Sequence, residues 1–123
     1  MNIEDFRNYC LAKPGTTEEF PFDENTLVFK VMGKMYALTS LTRMPFQANL
    51  KCDPDYVIEL REKYESVIPG YHMSKVHWNT VFMDSGEISD RELLEMIDTS
   101  YDLIVKSLKK KDREALANIG KDA

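Results

Sequence analysis

The apolar positions of this chain change period several times, and each change marks an element. In "NIEDFRNYCLAKPG", Ile3, Phe6 and Cys10 share one helical face. Asn2 is placed to cap that helix, Glu4 and Asp5 suit its positive N-terminal end, and Pro14-Gly15 ends it. A polar loop holding "FPF" (Phe20 to Phe22) leads into "TLVFKVMGKMYALTS", two β-branched and aromatic runs around Gly33 that predict a hairpin. "FQANLKC" then alternates, with Phe46, Ala48, Leu50 and Cys52 on one side and Gln47, Asn49 and Lys51 on the other.

"DPDYVIELREKYE" returns to helical spacing, with Asp53 as N-cap, Pro54 at the first helical position and Val57, Leu60 and Tyr64 as the buried stripe. Two extended runs, "SVIPGYH" and "HWNTVFM", flank Met73-Ser74-Lys75-Val76. "SDRELLEMIDTSYDLIVKSLKK" opens with the capping-box pair Ser89 and Glu92 and continues with Leu93, Ile97, Tyr101, Ile104 and Leu108 on one face. Residues 110–123 are expected to form a tail or one short helix stopped by Gly120.

The order predicts an α+β fold: a two-layer α-β3-α-β2-α arrangement, an antiparallel sheet with the helices on one face. With no repeat or linker, residues 1–123 are expected to form a single domain. Helices on one face leave the other free to be polar, carrying much of Lys30, Tyr36, Gln47, Asn49, Lys51, His77 and Asn79. Such a face serves as a binding surface, or simply as a charged face that resists aggregation. Trp78 alternates with His77 and Asn79, so it is expected to point into the core with Thr80 and Phe82, while Met73 is expected to be exposed at a hairpin tip.

Charge sharpens this picture. The net charge is −5, yet residues 26–52 hold Lys30, Lys34, Arg43 and Lys51 with no acid, and residues 66–83 hold Lys75 with none. The strand segments are basic and the helices acidic. The opening "MNIEDFRNYC" has acids where a secreted chain would carry basic residues and an apolar run, and no apolar stretch nears the ~20 residues of a membrane span. A cytoplasmic protein with no membrane partner is expected, with Cys10 and Cys52 as reduced, packed thiols.

Candidate chemistry is sparse. His72 and His77 have the spacing of the second half of a zinc finger, but no Cys-x-x-Cys supplies the first half. No nucleophile motif or glycine-rich phosphate loop is present, so no enzyme activity, metal or cofactor is expected.

The segments "YCLAKPG…E…FPF", "LVFKVMGKMYAL" and "NLKCDP…ELR…Y…VIPGYHMSKVHWNTV", with the helical "SY…LIVKSL", resemble the MmcQ/YjbR family. The resemblance spans about Tyr9 to Leu108 and is most specific from Pro69 to Val81. It implies an α-β3-α-β2-α fold akin to secretion-chaperone-like domains and, through two hairpins regarded as a double wing, DNA binding. It implies no enzymatic activity. Carried over to this chain, the wings are the hairpin around Gly33, with Lys30 and Lys34, and the hairpin with His72, Lys75 and His77. Where relatives commonly place Asn-Lys, this chain has Ser74-Lys75 followed by the apolar Val76, which weakens a phosphate grip there. The expected function is weak, non-specific DNA binding through Lys30, Lys34, Arg43, Asn49, Lys51, His72, Lys75 and His77. The alternative is a protein-interaction module for another protein or a second copy of the chain.

Overall fold

The computed structural model describes residues 1–71 and 73–122. Asn2 accepts the Asp5 amide at 2.8 Å and starts α1 (Ile3–Leu11), which turns Phe6 and Cys10 inward. Four strands follow: β1 (Thr16–Glu19), β2 (Thr26–Val31), β3 (Lys34–Ser40) and β4 (Gln47–Lys51). Asp53 caps α2 (Pro54–Lys63) by accepting the Asp55 amide at 2.9 Å. Then come β5 (Val67–Pro69), β6 (Trp78–Phe82), α3 (Asp90–Ser107) and α4 (Lys110–Asp122). Ser89 caps α3 at the Glu92 amide, while the Glu92 carboxylate takes the Tyr64 hydroxyl.

The strands form one antiparallel sheet in the order β1-β2-β3-β4-β6-β5. The α+β class, with its antiparallel sheet, is the one the sequence predicts. The structure adds an edge strand, β1, inside the expected polar loop, and α4 runs through Gly120 rather than stopping at it. The β2–β3 turn is Met32-Gly33, both with positive φ (50° and 83°), the signature of a two-residue hairpin turn that glycine favours. Gly15, also at positive φ, lies where a Cβ would stand 2.5 Å from the end of the Leu116 side chain of α4, which would have to move aside.

The main core lies between the sheet and the helices. Phe6 meets Phe29 and Phe46 edge-on at 5.6 and 5.7 Å, and Leu93, Ile97 and Ile104 cover the sheet from α3. Tyr36 belongs to this core, not to the polar face where alternation places it. The pairing shifts register between Phe29 and Lys30, a bulge that turns both Tyr36 and Ala37 inward. The Tyr36 hydroxyl donates to the Cys10 carbonyl at 3.1 Å and its ring meets Tyr101 edge-on at 5.2 Å.

The opposite sheet face carries a second, smaller cluster of Val28, Leu38 and Trp78, with Met35 and Met73 against it. Trp78 is therefore buried as expected, at 8% exposure, but on the face away from the helices. Asn79 is the inward residue, donating to the Val57 carbonyl of α2 at 3.3 Å. Met73 is half-buried rather than exposed.

A candidate binding groove on the open sheet face

Adjacent register pairs place Val28, Leu38, Asn49 and Thr80 in one row across the open face. Two residues along the same strands stand Thr26 and Gln47 in one direction and Lys30 and Lys51 in the other. Three loops rise around this floor. The β1–β2 loop is held by Asp23, which accepts the Asn25 and Thr26 amides at 2.8 and 2.7 Å. Those bonds keep the Asp23 carboxyl below the usual range; the neighbouring Phe22 is 64% exposed.

On the other side, the chain between β5 and β6 folds back over the sheet. Gly70 donates to the Trp78 carbonyl at 3.0 Å, Tyr71 donates to the Thr80 hydroxyl at 3.0 Å, and Asn49 donates to the Tyr71 carbonyl at 3.2 Å. Arg61 of α2 fixes the end of this segment, donating to the Asn79 side chain at 2.7 Å and to the Lys75 and Trp78 carbonyls. Sequence reasoning passed over Arg61; its only signal was a place in the "ELR" of the family pattern. From the β3–β4 loop, whose Arg43 amide is held by Ser40 at 3.1 Å, the Arg43 guanidinium reaches to 3.8 Å from the centre of the Tyr71 ring.

The result is a groove of about 590 Å³, walled by Phe22 on one side and by Tyr71 and Arg43 on the other. Leu38, Gln47 and Asn49 make its floor. Its lining is aromatic, apolar and amide-bearing, with one cation, Arg43, and one carboxylate, Asp23, a surface suited to flat, π-rich groups.

The candidate residues of the sequence divide accordingly. Arg43 and Asn49 line the groove, and Lys30 and Lys51 flank it on the same face. Lys30 is 3.4 Å from Glu19. Lys34 is drawn away, its ammonium 3.2 Å from the Ser107 carbonyl at the end of α3. Lys75 turns its ammonium back to the Gly70 carbonyl at 3.3 Å, and His77, with an exposed side chain, accepts the Cys52 amide on its carbonyl at 2.8 Å. His72 lies outside the described residues. Neither hairpin stands free as a projecting wing: Met32, at the tip of one, packs on the main core, and the other is tied to α2 and β4.

Both cysteines are free and buried; burial pushes the Cys10 thiol up to about 12 and raises that of Cys52. Among the described residues, no three His, Cys, Asp or Glu side chains gather to hold a metal, and no helix is long and apolar enough to cross a membrane.

The family model YjbR matches residues 11–103. The chain belongs to the YjbR family. It is 29% identical over 119 residues to the uncharacterised protein YjbR of Escherichia coli K12, spanning 97% of this chain and all of that one. It is 41% identical over 112 residues to the uncharacterised protein YbdF of Escherichia coli O157:H7, spanning 90% of each. A crystal structure of a Deinococcus radiodurans protein with the domain DUF419 superposes with a TM-score of 0.88 at 41% identity, over 94% of this chain and 88% of that one. A protein from Pseudomonas syringae superposes at 0.72 and 29% identity, over 84% of this chain and 98% of its own. The family match, over residues 11–103, includes the strands and loops that bear the groove.

Proposed function

We propose that this YjbR-family domain binds nucleic acid weakly and without catalysis through the open face of its sheet. One observation carries the reading: Arg43 and Tyr71 stack beside an exposed Phe22 over an amide-bearing floor, with Lys30 and Lys51 on the same face. Aromatic platforms take bases and basic side chains take phosphates. The net charge of −5 and the pairing of Lys30 with Glu19 keep the affinity low, in or below the ~10⁻⁴–10⁻⁶ M range of non-specific binders at physiological salt. The non-catalytic part is supported by the thiols, buried with raised pKa, the reverse of an activated nucleophile. Two buried free thiols also fit a reducing, cytoplasmic setting.

A second reading has its own support. Phe20, Met44 and Val76 are exposed, as is Phe22 on the groove wall, and such apolar groups also suit a protein segment. Fluorescence anisotropy with labelled DNA and RNA at ~20 mM salt, where the counterion contribution is largest, separates the two. Saturable binding there supports the nucleic-acid reading. Its absence hands the surface to a protein partner.

A further inference from the structure

We infer that the groove captures an unpaired base, so that the strand this domain binds is single. The inference rests on the nucleic-acid reading and narrows it.

The walls make the argument. Phe22 comes from the β1–β2 loop, and Arg43, from the β3–β4 loop, lays its guanidinium over Tyr71; all three line one hollow of about 590 Å³. A base entering the hollow stacks on the exposed Phe22 ring and on the plane of the Arg43 guanidinium. A duplex keeps its base faces inside the helix and has nothing to offer such a slot, whereas every base of a single strand has a free π-face. The hairpin lysines that would grip a duplex backbone are directed elsewhere, Lys34 to the Ser107 carbonyl at the end of α3 and Lys75 to the Gly70 carbonyl of its own loop. Lys51 stands two residues beyond Asn49 on the same strand face, roughly 7 Å along the sheet, where a phosphate of the strand running out of the groove would pass.

The floor also limits what can be read. Asn49 spends its amide on the Tyr71 carbonyl and its oxygen on Thr80; Gln47 gives its amide to the Pro45 carbonyl at 3.1 Å. Few edge-reading groups remain, so stacking dominates and base identity matters little.

The test compares a fluorescein-labelled oligothymidylate of about 12 nucleotides, within the span of small single-strand sites, with a duplex of equal length at ~20 mM salt. The single strand is expected to bind at least ~10-fold tighter. Phe22→Ala is expected to weaken it by about 5- to 150-fold, the loss of one base stack, with an unchanged melting temperature because the ring is exposed. Arg43→Gln tests the opposite wall and is expected to weaken it in the same direction. Equal or tighter duplex binding, or Phe22→Ala and Arg43→Gln proteins that bind the single strand like the parent, overturns the base-capture inference while nucleic-acid binding stands. No binding to either probe overturns both.

Discussion

Ser100 of α3 donates its hydroxyl to the Tyr36 carbonyl and, on the same oxygen, accepts the Lys51 amide at 2.8 Å. The β3–β4 ladder pairs Ala37 with Leu50 and would next pair Tyr36 with Lys51. The bulge at Tyr36 breaks that step, and a helix side chain completes it.

Ser100→Ala should therefore be costly for so small a change. A buried backbone carbonyl and a part-buried amide lose their partner, at about 1–3 kcal/mol each, a large share of the ~5–15 kcal/mol of a typical domain. Urea denaturation should show a fall of roughly 2–6 kcal/mol. A fall under ~0.5 kcal/mol, the scale of an inconsequential surface change, would mean the ladder is closed without Ser100.

Gly70 makes the closest approach on the open face. A Cβ there would stand 2.9 Å from both the Trp78 carbonyl oxygen and the Trp78 Cβ, neither of which is a flexible end. Gly70→Ala should cost about 1–3 kcal/mol, as overpacking does, and should also shift Tyr71 from the groove wall. Equilibrium unfolding and a crystal structure of the variant check both parts. An alanine accommodated with no loss would show that the segment after β5 is loosely held.

How much of this was legible in the sequence differs by element. The helix starts at Asn2, Asp53 and Ser89 follow from capping chemistry that needs only local residues. The face of β6 did not follow. Trp78, Thr80 and Phe82 alternate with Asn79 and Val81, but residues 78–81 are all buried because both sheet faces are covered there, so alternation could not say which set looks at the helices. Tyr36 was misplaced because a bulge adds a residue and reverses parity beyond it. The edge strand β1, "TTEE", has no apolar alternation to announce it and exists through its pairing with β2. Lys30, Arg43, Asn49 and Lys51 were legible as candidates from charge and alternation. The groove was not, because it depends on three loops folding over the sheet and on the Arg61 clamp.

Alkaline pH should weaken the fold. Burial pushes the Cys10 thiol up to about 12, and the hydrogen bond to Asp98, with burial, pushes the Tyr9 phenol up to about 12. Both folded values exceed the ordinary ones of about 8.5 and 10, so the unfolded chain releases its protons first. The stability these groups add is complete below those ordinary values and is lost as pH rises toward 12. Melting temperature measured from pH 8 upward should fall, and Cys10→Ala should flatten the early part of the fall. A melting temperature that stays level to pH 11 would show that these groups are not perturbed.

The salt dependence of binding tests which cations take part. Arg43 lines the groove, and Lys30 and Lys51 flank it on the same sheet face, Lys30 with its ammonium 3.4 Å from Glu19. With about 0.7 counterions released per single-strand phosphate contact, three contacts give a log–log slope no steeper than about −2. Lys51→Glu should reduce both the affinity and that slope. Lys34→Glu should leave both unchanged, because its ammonium rests on the Ser107 carbonyl at the far side of the β2–β3 turn. The contrast is informative because both lysines lie in the same acid-free stretch, and only the fold distinguishes them. A slope of about −3 or steeper would require cations beyond this face. Equal losses for Lys34→Glu and Lys51→Glu would move the contact surface to the hairpin tip and away from the groove.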